Sequence, residues 1–312
     1  MLNVVRNFLL GGILVSCLAS CPSSYTLGFP GEYPVASYEG RYADDLPLSI
    51  YYPDTNPRLE NLPVVIITPA WNQPRASYAG YATQLAQWGF VAVIRFYPTP
   101  GLNSLGRDLE PVHILLSEEL INWLGEENDR PESPLYRMVD TDNVGTTGHS
   151  FGGGVAIFHA AEDPRVKAMV TLDSAYRDAS ESPETRLANT AAAMMFIVSS
   201  EGGDCTIPPY IKDPVALFDV APEPAAEVTI ANSDHIDFMD SLIGAASLSR
   251  LACPNVEGPP SPDEIRKIAS RYMIAWFNVH LRGDADSSKY YAGSEAQSDI
   301  NDGLVSIRLK TK

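Results

Sequence analysis

The sequence predicts a single-domain α/β fold, in which helices cover both faces of a doubly wound, mostly parallel sheet. Three observations lead to this prediction. Short apolar runs rich in β-branched residues recur along the chain, helical patterns lie between several of them, and no break in composition marks a second domain. With 312 residues, 45% of them hydrophobic and 20% charged, the composition is that of an ordinary globular protein.

The first 21 residues are predicted to be a signal peptide rather than part of the fold. Arg6 precedes an apolar run of about 12 residues, which is too short to span a bilayer as a mature helix. The run ends in LASC, residues 18–21, which resembles the bacterial lipobox, and LVSC at 14–17 is a weaker fit. We therefore expect an extracytoplasmic protein, secreted after ordinary cleavage or anchored to a membrane through a lipidated Cys21.

A polar tether rich in proline and glycine, residues 22–35, is predicted to lead into a domain that occupies 36–312. In VASYEGRYADDLPLSIYYP, apolar and polar residues alternate around a turn, which predicts a β-hairpin at a sheet edge. Six apolar runs then predict parallel strands buried on both faces. These runs cover 64–68, 91–96, 144–148, 166–172, 194–198 and 227–231.

Three helices are predicted from their termini as well as from their apolar spacing. ASYAGYATQLAQWG ends at Gly89, and EPVHILLSEELINWLG has Pro111 in its first turn and ends at Gly125. The third helix begins at SPDE, where Ser261 is the N-cap residue, a proline follows, and Glu264 completes a capping box.

The formal net charge of −17 argues against two classes of partner. Phosphate binding needs clustered lysine and arginine, so no nucleic-acid partner is expected, and neither is docking on an anionic membrane surface. Beyond the signal segment only Cys205 and Cys253 remain, and two cysteines in an exported domain are more often paired than free. We expect a disulfide, because no histidine spacing accompanies the two sulfurs to favour a metal site.

The segment TTGHSFGGGVAIFHA, residues 146–160, contains the pattern G-x-S-x-G around Ser150. In a strand–turn–helix of this kind the serine takes strained backbone angles, and Gly148 and Gly152 must lack side chains because the turn is so tight. The alternative is a glycine-rich helix start without chemistry. Because a strand-like run precedes the pattern and a helix-like run follows it, we predict that Ser150 is a nucleophile at a helix N-terminus.

A nucleophilic serine needs a histidine base, and the chain has five histidines. His149 adjoins the serine, so we expect its side chain to leave the turn in another direction. The histidines at 113, 159 and 280 lie inside predicted helices. His235, in NSDHIDFMD after the last of the six predicted strands, is the remaining histidine in a downstream loop, and we predict that it is the general base.

Two aspartates could orient His235. Asp173 ends the run VKAMVTLD and Asp204 follows the next run in SSEGGDC, so both lie at carboxyl ends of strands, where open α/β sheets bind ligands. The residues alone leave both open. Weaker candidates are Glu201 and the aspartates at 234, 237 and 240.

The oxyanion hole is expected to use two main-chain N–H groups. One belongs to Phe151, which follows the serine. The other lies in TPAWNQP, after the first predicted parallel strand. Pro69 has no N–H, so Trp71 is the preferred donor and Ala70 the second choice.

Four blocks together resemble one branch of the α/β-hydrolases: VVIITPAWNQPRASYAGYATQLAQWGFVAVIRFYPT, GHSFGGG, TLDSA and SDHIDFMD, within residues 36–283. They look most like chlorophyllases and platelet-activating-factor acetylhydrolases, and more distantly like dienelactone hydrolases and cutinase-like polyester hydrolases. The resemblance implies a serine carboxylic-ester hydrolase that acts on a small or lipid-like ester through an acyl-enzyme, without a metal or organic cofactor.

The resemblance also bears on the acid. In chlorophyllases and the acetylhydrolases it closes the strand after the elbow helix, which corresponds to Asp173, whereas in polyester hydrolases it lies one strand later, which corresponds to Asp204. We favour Asp173, because HIDFMD is closest to the pattern around the chlorophyllase histidine. Pro69 and Ala70 stand where the resembling families usually have a His-Gly pair ahead of the oxyanion residue. They are closer to the Pro-Gly-aromatic step of polyester hydrolases, so chlorophyll and phospholipid substrates are not carried over.

Three aromatic residues, Trp71, Phe151 and Tyr176, form an apolar acyl pocket if they line the mouth of the site, and otherwise each packs in the core. Cys205 and Cys253 bracket two loops of the site, and a disulfide between them would stabilise the histidine loop by about 3 kcal/mol of loop-closure entropy. Two other functions stay open: a polyesterase or broad carboxylesterase with an open cleft, and a non-catalytic binding lipoprotein. We expect a monomer.

Overall fold

The structure is a computed structural model, and it describes residues 31–43, 45–96, 110–174, 183–188, 190–200, 215–240 and 260–311. Within these residues nine strands form one sheet. In chain order the strands are β1 Val35–Tyr42, β2 Leu46–Pro53, β3 Leu62–Thr68, β4 Val91–Arg95, β5 Val139–His149, β6 Val166–Leu172, β7 Ala193–Ser199, β8 Ala225–Ile230 and β9 Val305–Lys310.

Helices connect most of these strands. In the described residues they are α1 Ala79–Gln87, α2 Glu110–Asp129, α3 Phe151–Glu162, α4 Pro183–Ala188, α5 Val215–Val220, α6 Pro262–Arg282, α7 Lys289–Ala292 and α8 Ser294–Asn301. The described residues also contain three short 3₁₀ helices. Arg75–Tyr78 precedes α1, His235–Phe238 follows β8, and Ala285–Ser288 precedes α7. None of the helices in this part of the chain has the length and apolar content that a membrane span needs.

The strand order is β1-β2-β4-β3-β5-β6-β7-β8-β9, and the six strands from β4 to β8 in this order are parallel. β1 and β2 add an antiparallel hairpin at one edge, and β9 adds an antiparallel strand at the other. β3 lies between β4 and β5, so the chain continues from β3 to the strand on one side of it and then crosses to the strand on its other side. Ligand sites of doubly wound sheets lie at such a reversal, at the carboxyl ends of the strands.

Both faces of the sheet are covered, which explains why its strands are continuously apolar. Val65 and Ile67 of β3 point to one face, where they join a buried cluster with residues of α1 and α6. Val64 and Ile66 point to the other face and join a cluster with residues of α2, α3, α4 and α5. The predicted fold class, a doubly wound and mostly parallel sheet with helices on both faces, is confirmed.

The edge hairpin, the six parallel strands and the capping box at Ser261 are confirmed. The end of the second predicted helix was wrong, because α2 continues through Gly125 to Asp129. A glycine inside a helix costs only about 1 kcal/mol relative to alanine. Two residues later the buried Glu127 accepts a hydrogen bond from Ser133 Oγ, at 2.7 Å, which holds the last turn.

The chain enters the sheet beside the C-terminal end of α1. The main-chain N–H of Tyr33 donates to the carbonyl oxygen of Gln87 at 3.1 Å, and β1 begins at Val35. The predicted signal peptide, Cys21 and most of the tether lie outside the described residues. So do Tyr176, Asp204, Cys205 and Cys253, whose predicted roles stay predictions.

Candidate active site

Ser150 alone makes the turn between β5, which ends at His149, and α3, which begins at Phe151. Its backbone angles are φ 55° and ψ −123°, a strained conformation for a residue with a side chain. The turn is held on both sides, since the N–H of Ser150 donates to the Leu172 carbonyl at 3.0 Å and the N–H of Gly153 donates to the Ser150 carbonyl at 2.9 Å. The strained serine that the sequence predicts is therefore present at the carboxyl edge of the sheet.

The glycines beside Ser150 allow two close backbone approaches. A Cβ atom on Gly148 would clash with the carbonyl group of Gly152, across the turn. A Cβ atom on Gly152 would clash with the carbonyl oxygen of Thr68 and lie 2.5 Å from that of Pro69. Gly152 thus lets the loop after β3, which carries Trp71, lie directly against the first turn of α3.

His235 and Asp173 meet at the same edge of the sheet. His235 is the first residue of the 3₁₀ helix that follows β8, and Asp173 directly follows β6 with φ 43°. The distance from His235 Nδ1 to Asp173 Oδ2 is 2.5 Å, and the two residues are 6% and 2% exposed. The contact joins residues 62 positions apart in the chain. The sequence named both residues for an acid–base pair.

Both carboxylate oxygens of Asp173 have hydrogen-bond partners. Its Oδ1 accepts from both the main-chain N–H and the Oγ of Ser199, each at 2.9 Å, at the end of β7. Burial alone would raise the pKa of this carboxyl. The hydrogen bonds from His235 and Ser199 outweigh burial and hold the pKa below its usual value.

The loop that carries His235 is fixed by aspartates that the sequence ranked as weaker acids. Asp234 accepts from the N–H of His235 at 2.6 Å, and Asp237 Oδ2 accepts from the N–H of Asp234 at 2.8 Å, which forms a capping box. The guanidinium of Arg266, on α6, donates to the main-chain oxygens of Asp237 and Met239. These carboxylates therefore hold the loop, and His235 makes its ring contact with Asp173.

Asp240 ties the far end of this loop to α1. Its Oδ2 accepts from the N–H of Gly80 at 2.5 Å, and its own N–H donates to the carbonyl of Ser77 at 2.9 Å. Burial raises the pKa of the Asp240 carboxyl to about 6, although the Gly80 hydrogen bond and Arg266 act in the opposite direction.

The two main-chain groups of the loop after β3 differ in their partners. The N–H of Ala70 donates to Tyr78 Oη at 3.0 Å and is therefore engaged. Within the described ranges, no group accepts a hydrogen bond from the N–H of Trp71. Phe151 is the first residue of α3 and directly follows Ser150. Trp71 and Phe151 stay the predicted oxyanion donors, and Ala70, the second choice, is disfavoured.

His149 occupies a position that the sequence did not predict. As expected, its side chain leaves the turn, but it runs inward, where it is 1% exposed and its ring centroid lies 4.6 Å from that of His235. Its Nδ1 lies 2.9 Å from Tyr78 Oη and its Nε2 lies 2.8 Å from the main-chain oxygen of His235. Burial, assisted by the neighbouring His235, lowers the pKa of His149 to about 3. Tyr78 gave no signal in the sequence, because its apolar spacing is that of an ordinary core residue.

The predicted acyl pocket is described in part. Trp71 and Phe151 are both half-buried, between full packing in the core and full exposure. The indole Nε1 of Trp71 is itself buried and has no hydrogen-bond partner among the described groups. In the same part of the chain, no three His, Cys, Asp or Glu side chains are grouped to hold a metal ion.

The chain is similar to known proteins in two comparisons. A family model described as PET hydrolase-like matches residues 47–235, a segment that includes Trp71, Ser150 and Asp173 and ends at His235. The chain is also similar to lipase 1 of Moraxella sp. (strain TA144), with 23% identity over 250 residues. These residues cover 80% of this chain and 65% of that lipase, so the chain spans less than two thirds of the relative's length.

Proposed function

The chain belongs to the PET hydrolase-like family of α/β-hydrolases, and from this premise we propose that it is a serine carboxylic-ester hydrolase. The predicted α/β-hydrolase resemblance is thereby confirmed, through the polyester-hydrolase branch that the sequence placed as the more distant one. The observation that carries the proposal is the hydrogen bond between His235 and Asp173 at the sheet edge where Ser150 makes its strained turn.

The proposed reaction follows from the protonation state of this pair. Because ionised Asp173 accepts from His235 Nδ1, the proton of a neutral imidazole lies on Nδ1 and Nε2 is left as a base. Ser150 Oγ attacks the ester carbonyl while Nε2 takes its proton, and the imidazolium then gives that proton to the departing alkoxide. Water, deprotonated by the same Nε2, then attacks the acyl carbonyl. The bond to Ser150 Oγ breaks, the carboxylic acid leaves, and the imidazolium returns the proton to Ser150 Oγ.

Charge that develops during the reaction has preorganised partners. Asp173, held by two hydrogen bonds from Ser199, stabilises the imidazolium without moving. The carbonyl oxygen of the tetrahedral intermediate would accept from the N–H groups of Trp71 and Phe151. The N-terminus of α3 adds a partial positive charge on the same side.

The substrate class is a small or lipid-like ester, with a polyester as the second candidate. The half-buried rings of Trp71 and Phe151 support an apolar acyl site, and the family's description favours the polyester alternative. Two assays distinguish the small ester from the polyester as substrate. One measures release of soluble monomers from a polycaprolactone film, and the other measures turnover of p-nitrophenyl butyrate. A film that stays intact while the soluble ester is hydrolysed rejects the polyester alternative.

Turnover of p-nitrophenyl butyrate by wild type and Ser150→Ala tests the reaction itself. We expect Ser150→Ala to lose about 10⁵- to 10⁶-fold in kcat, as nucleophile deletions do in serine hydrolases. A fluorophosphonate should add one mass increment, on the peptide that contains Ser150. A folded wild type that neither turns over the ester nor takes the label would favour the non-catalytic binding protein.

We also propose that the enzyme acts outside the cytoplasm. The support is the sequence of residues 1–21, with Arg6, the apolar run and Cys21. Mass spectrometry of the mature protein purified from its membrane fraction tests this, since lipidation makes a diacylglyceryl-modified Cys21 the first residue. A mature chain that retains residues 1–20 would refute export by this signal.

A further inference from the structure

We propose that Tyr78 and His149 are positioning residues, which fix the distance between the base His235 and the loop of the oxyanion donor Trp71. The proposal rests on the proposed function and extends it to two side chains that act through the base His235 and the loop of Trp71. Between them they form an unbroken row of hydrogen bonds, called here the Tyr78–His149 bridge, from Ala70 N–H to the main-chain oxygen of His235.

Each hydrogen bond of the bridge has a fixed direction. The N–H of Ala70 can only donate, so Tyr78 Oη accepts it at 3.0 Å. The carbonyl oxygen of His235 can only accept, so the Nε2 of His149 carries a proton and donates it in a hydrogen bond, with 2.8 Å between nitrogen and oxygen. In a neutral imidazole Nδ1 is then an acceptor, and the Tyr78 hydroxyl donates to it at 2.9 Å. One tautomer and one hydroxyl rotamer satisfy all three bonds.

The bridge is isolated from water. Tyr78 is 0% exposed and His149 is 1% exposed, and the ring of Phe238 lies against His149 on one side. Leaving a buried hydrogen-bonding group without its partner is unfavourable, so any shift of one end is transmitted to the other. Burial also lowers the pKa of His149 to about 3, so the ring is neutral at pH 7 and its Nδ1 is an acceptor.

Both ends of the bridge lie next to groups that act in the proposed reaction. At one end, Ala70 immediately precedes Trp71, and Asn72 beyond it has φ 56°, so this loop holds a strained conformation. At the other end, His235 supplies the carbonyl oxygen of the bridge, and its Nδ1 bonds to Asp173. The bridge therefore spans from the oxyanion side to the base, behind the serine.

Tyr78→Phe tests the bridge, with Tyr81→Phe as a matched control. Both tyrosines are fully buried, but the Tyr81 hydroxyl has no hydrogen-bond partner among the described groups. We expect Tyr78→Phe to lower kcat for p-nitrophenyl butyrate by about 10- to 100-fold, the range for displacement of a reacting group by up to 1 Å, with KM unchanged. Tyr81→Phe should leave kcat unchanged.

Variants of His149 give a second, independent readout. His149→Gln keeps an N–H near the position of Nε2 and should retain more activity than His149→Phe, which keeps only a ring. If the two residues act through one bridge, Tyr78→Phe should cost little more in the His149→Phe background. Thermal unfolding of every variant identifies any that is not folded at the assay temperature, and the comparison of Tyr78→Phe with Tyr81→Phe does not depend on the His149 variants.

The outcomes separate the bridge from the proposed function. If activity depends on Ser150 but kcat is unchanged in Tyr78→Phe, the bridge is overturned and the proposed esterase function stands. Equal losses in Tyr78→Phe and Tyr81→Phe, or additive losses in the double variant, would also overturn it. If wild type and Ser150→Ala are equally inactive, the proposed function itself fails.

Discussion

Replacement of Asp173 by asparagine separates the two candidate acids, and the structure fixes the direction of its effect. Asp173 Oδ1 accepts from the main-chain N–H of Ser199, which can only donate. In Asp173→Asn the amide oxygen must stay on that side, so the NH₂ group faces His235. Nδ1 of His235 must then accept a hydrogen bond, and the imidazole proton moves to Nε2. A protonated Nε2 cannot act as the base that takes the proton of Ser150.

The size of the effect follows from this change of tautomer. Loss of the acid by an isosteric Asp→Asn replacement lowers kcat by about 10⁴-fold in a serine protease, because the histidine then carries its proton on the wrong nitrogen. A loss of about 10³- to 10⁴-fold is expected here, which corresponds to about 4 to 5.5 kcal/mol of transition-state stabilisation. Asp204→Asn is the control, since it removes the rival carboxylate by the same atomic change.

The assay is kcat and KM for p-nitrophenyl butyrate at pH 8, with circular dichroism to establish that each variant is folded. Activity of Asp173→Asn within a few-fold of wild type, together with a large loss in Asp204→Asn, would refute the tautomer argument and move the acid to Asp204. Comparable losses in both variants would mean that the contact between Asp173 and His235 is not sufficient to orient the base.

Three further predictions concern the surroundings of the site. Gly152→Ala should lower kcat by about 100-fold, because its Cβ must displace the loop after β3. In the control Gly125→Ala the new Cβ meets only Thr141, at 3.9 Å, so this variant should instead stabilise α2 by about 0.5 to 1 kcal/mol. Equal kcat in the two variants would contradict the steric argument. The pKa of Asp240 is raised to about 6 in the folded chain and is about 4 in the unfolded chain. Its contribution to stability is therefore fully present below about pH 4 and is lost, by about 3 kcal/mol, as pH rises through about 6. Urea unfolding of Asp240→Asn should lack this fall, and a parallel pH dependence in wild type and variant would refute the assignment. Ser261→Ala should lower the free energy of unfolding by about 1 kcal/mol through loss of the α6 cap, which thermal unfolding measures and an unchanged midpoint would contradict.

The sequence predicts those parts of the fold that depend on local patterns. The apolar runs of β3, β4, β6, β7 and β8 lie close to their predicted bounds because each is buried on both faces. β5 begins five residues before its predicted run of 144–148, since its first half is partly exposed. The glycines around Ser150 mark the turn because no other residue fits. By contrast, β9 was missed, since VSIRLK is half-exposed at the sheet edge and lacks the apolar run of a buried strand. An edge strand of this kind is specified mainly by its neighbour, β8.

The site shows the same division. Ser150 and His235 could be named from their positions along the chain, because chain order and the elbow motif are local properties. The contact between Asp173 and His235 could not be distinguished from a contact with Asp204, because it depends on how two loops 62 residues apart approach each other. Tyr78 and His149 are 71 residues apart and were not connected at all. Side-chain partners in a folded site are a property of the packing.

The position at which Tyr33 joins the domain has a consequence for attachment of the protein to a surface. Tyr33 bonds to Gln87, just before β4 begins, so the chain arrives at the amino ends of the parallel strands, whereas Ser150 lies at their carboxyl ends. A support, a fusion partner or a lipid joined upstream of Tyr33 would hold the protein by the side remote from its reacting groups. Ser150 would then face away from the attachment, toward substrate arriving from the surrounding medium.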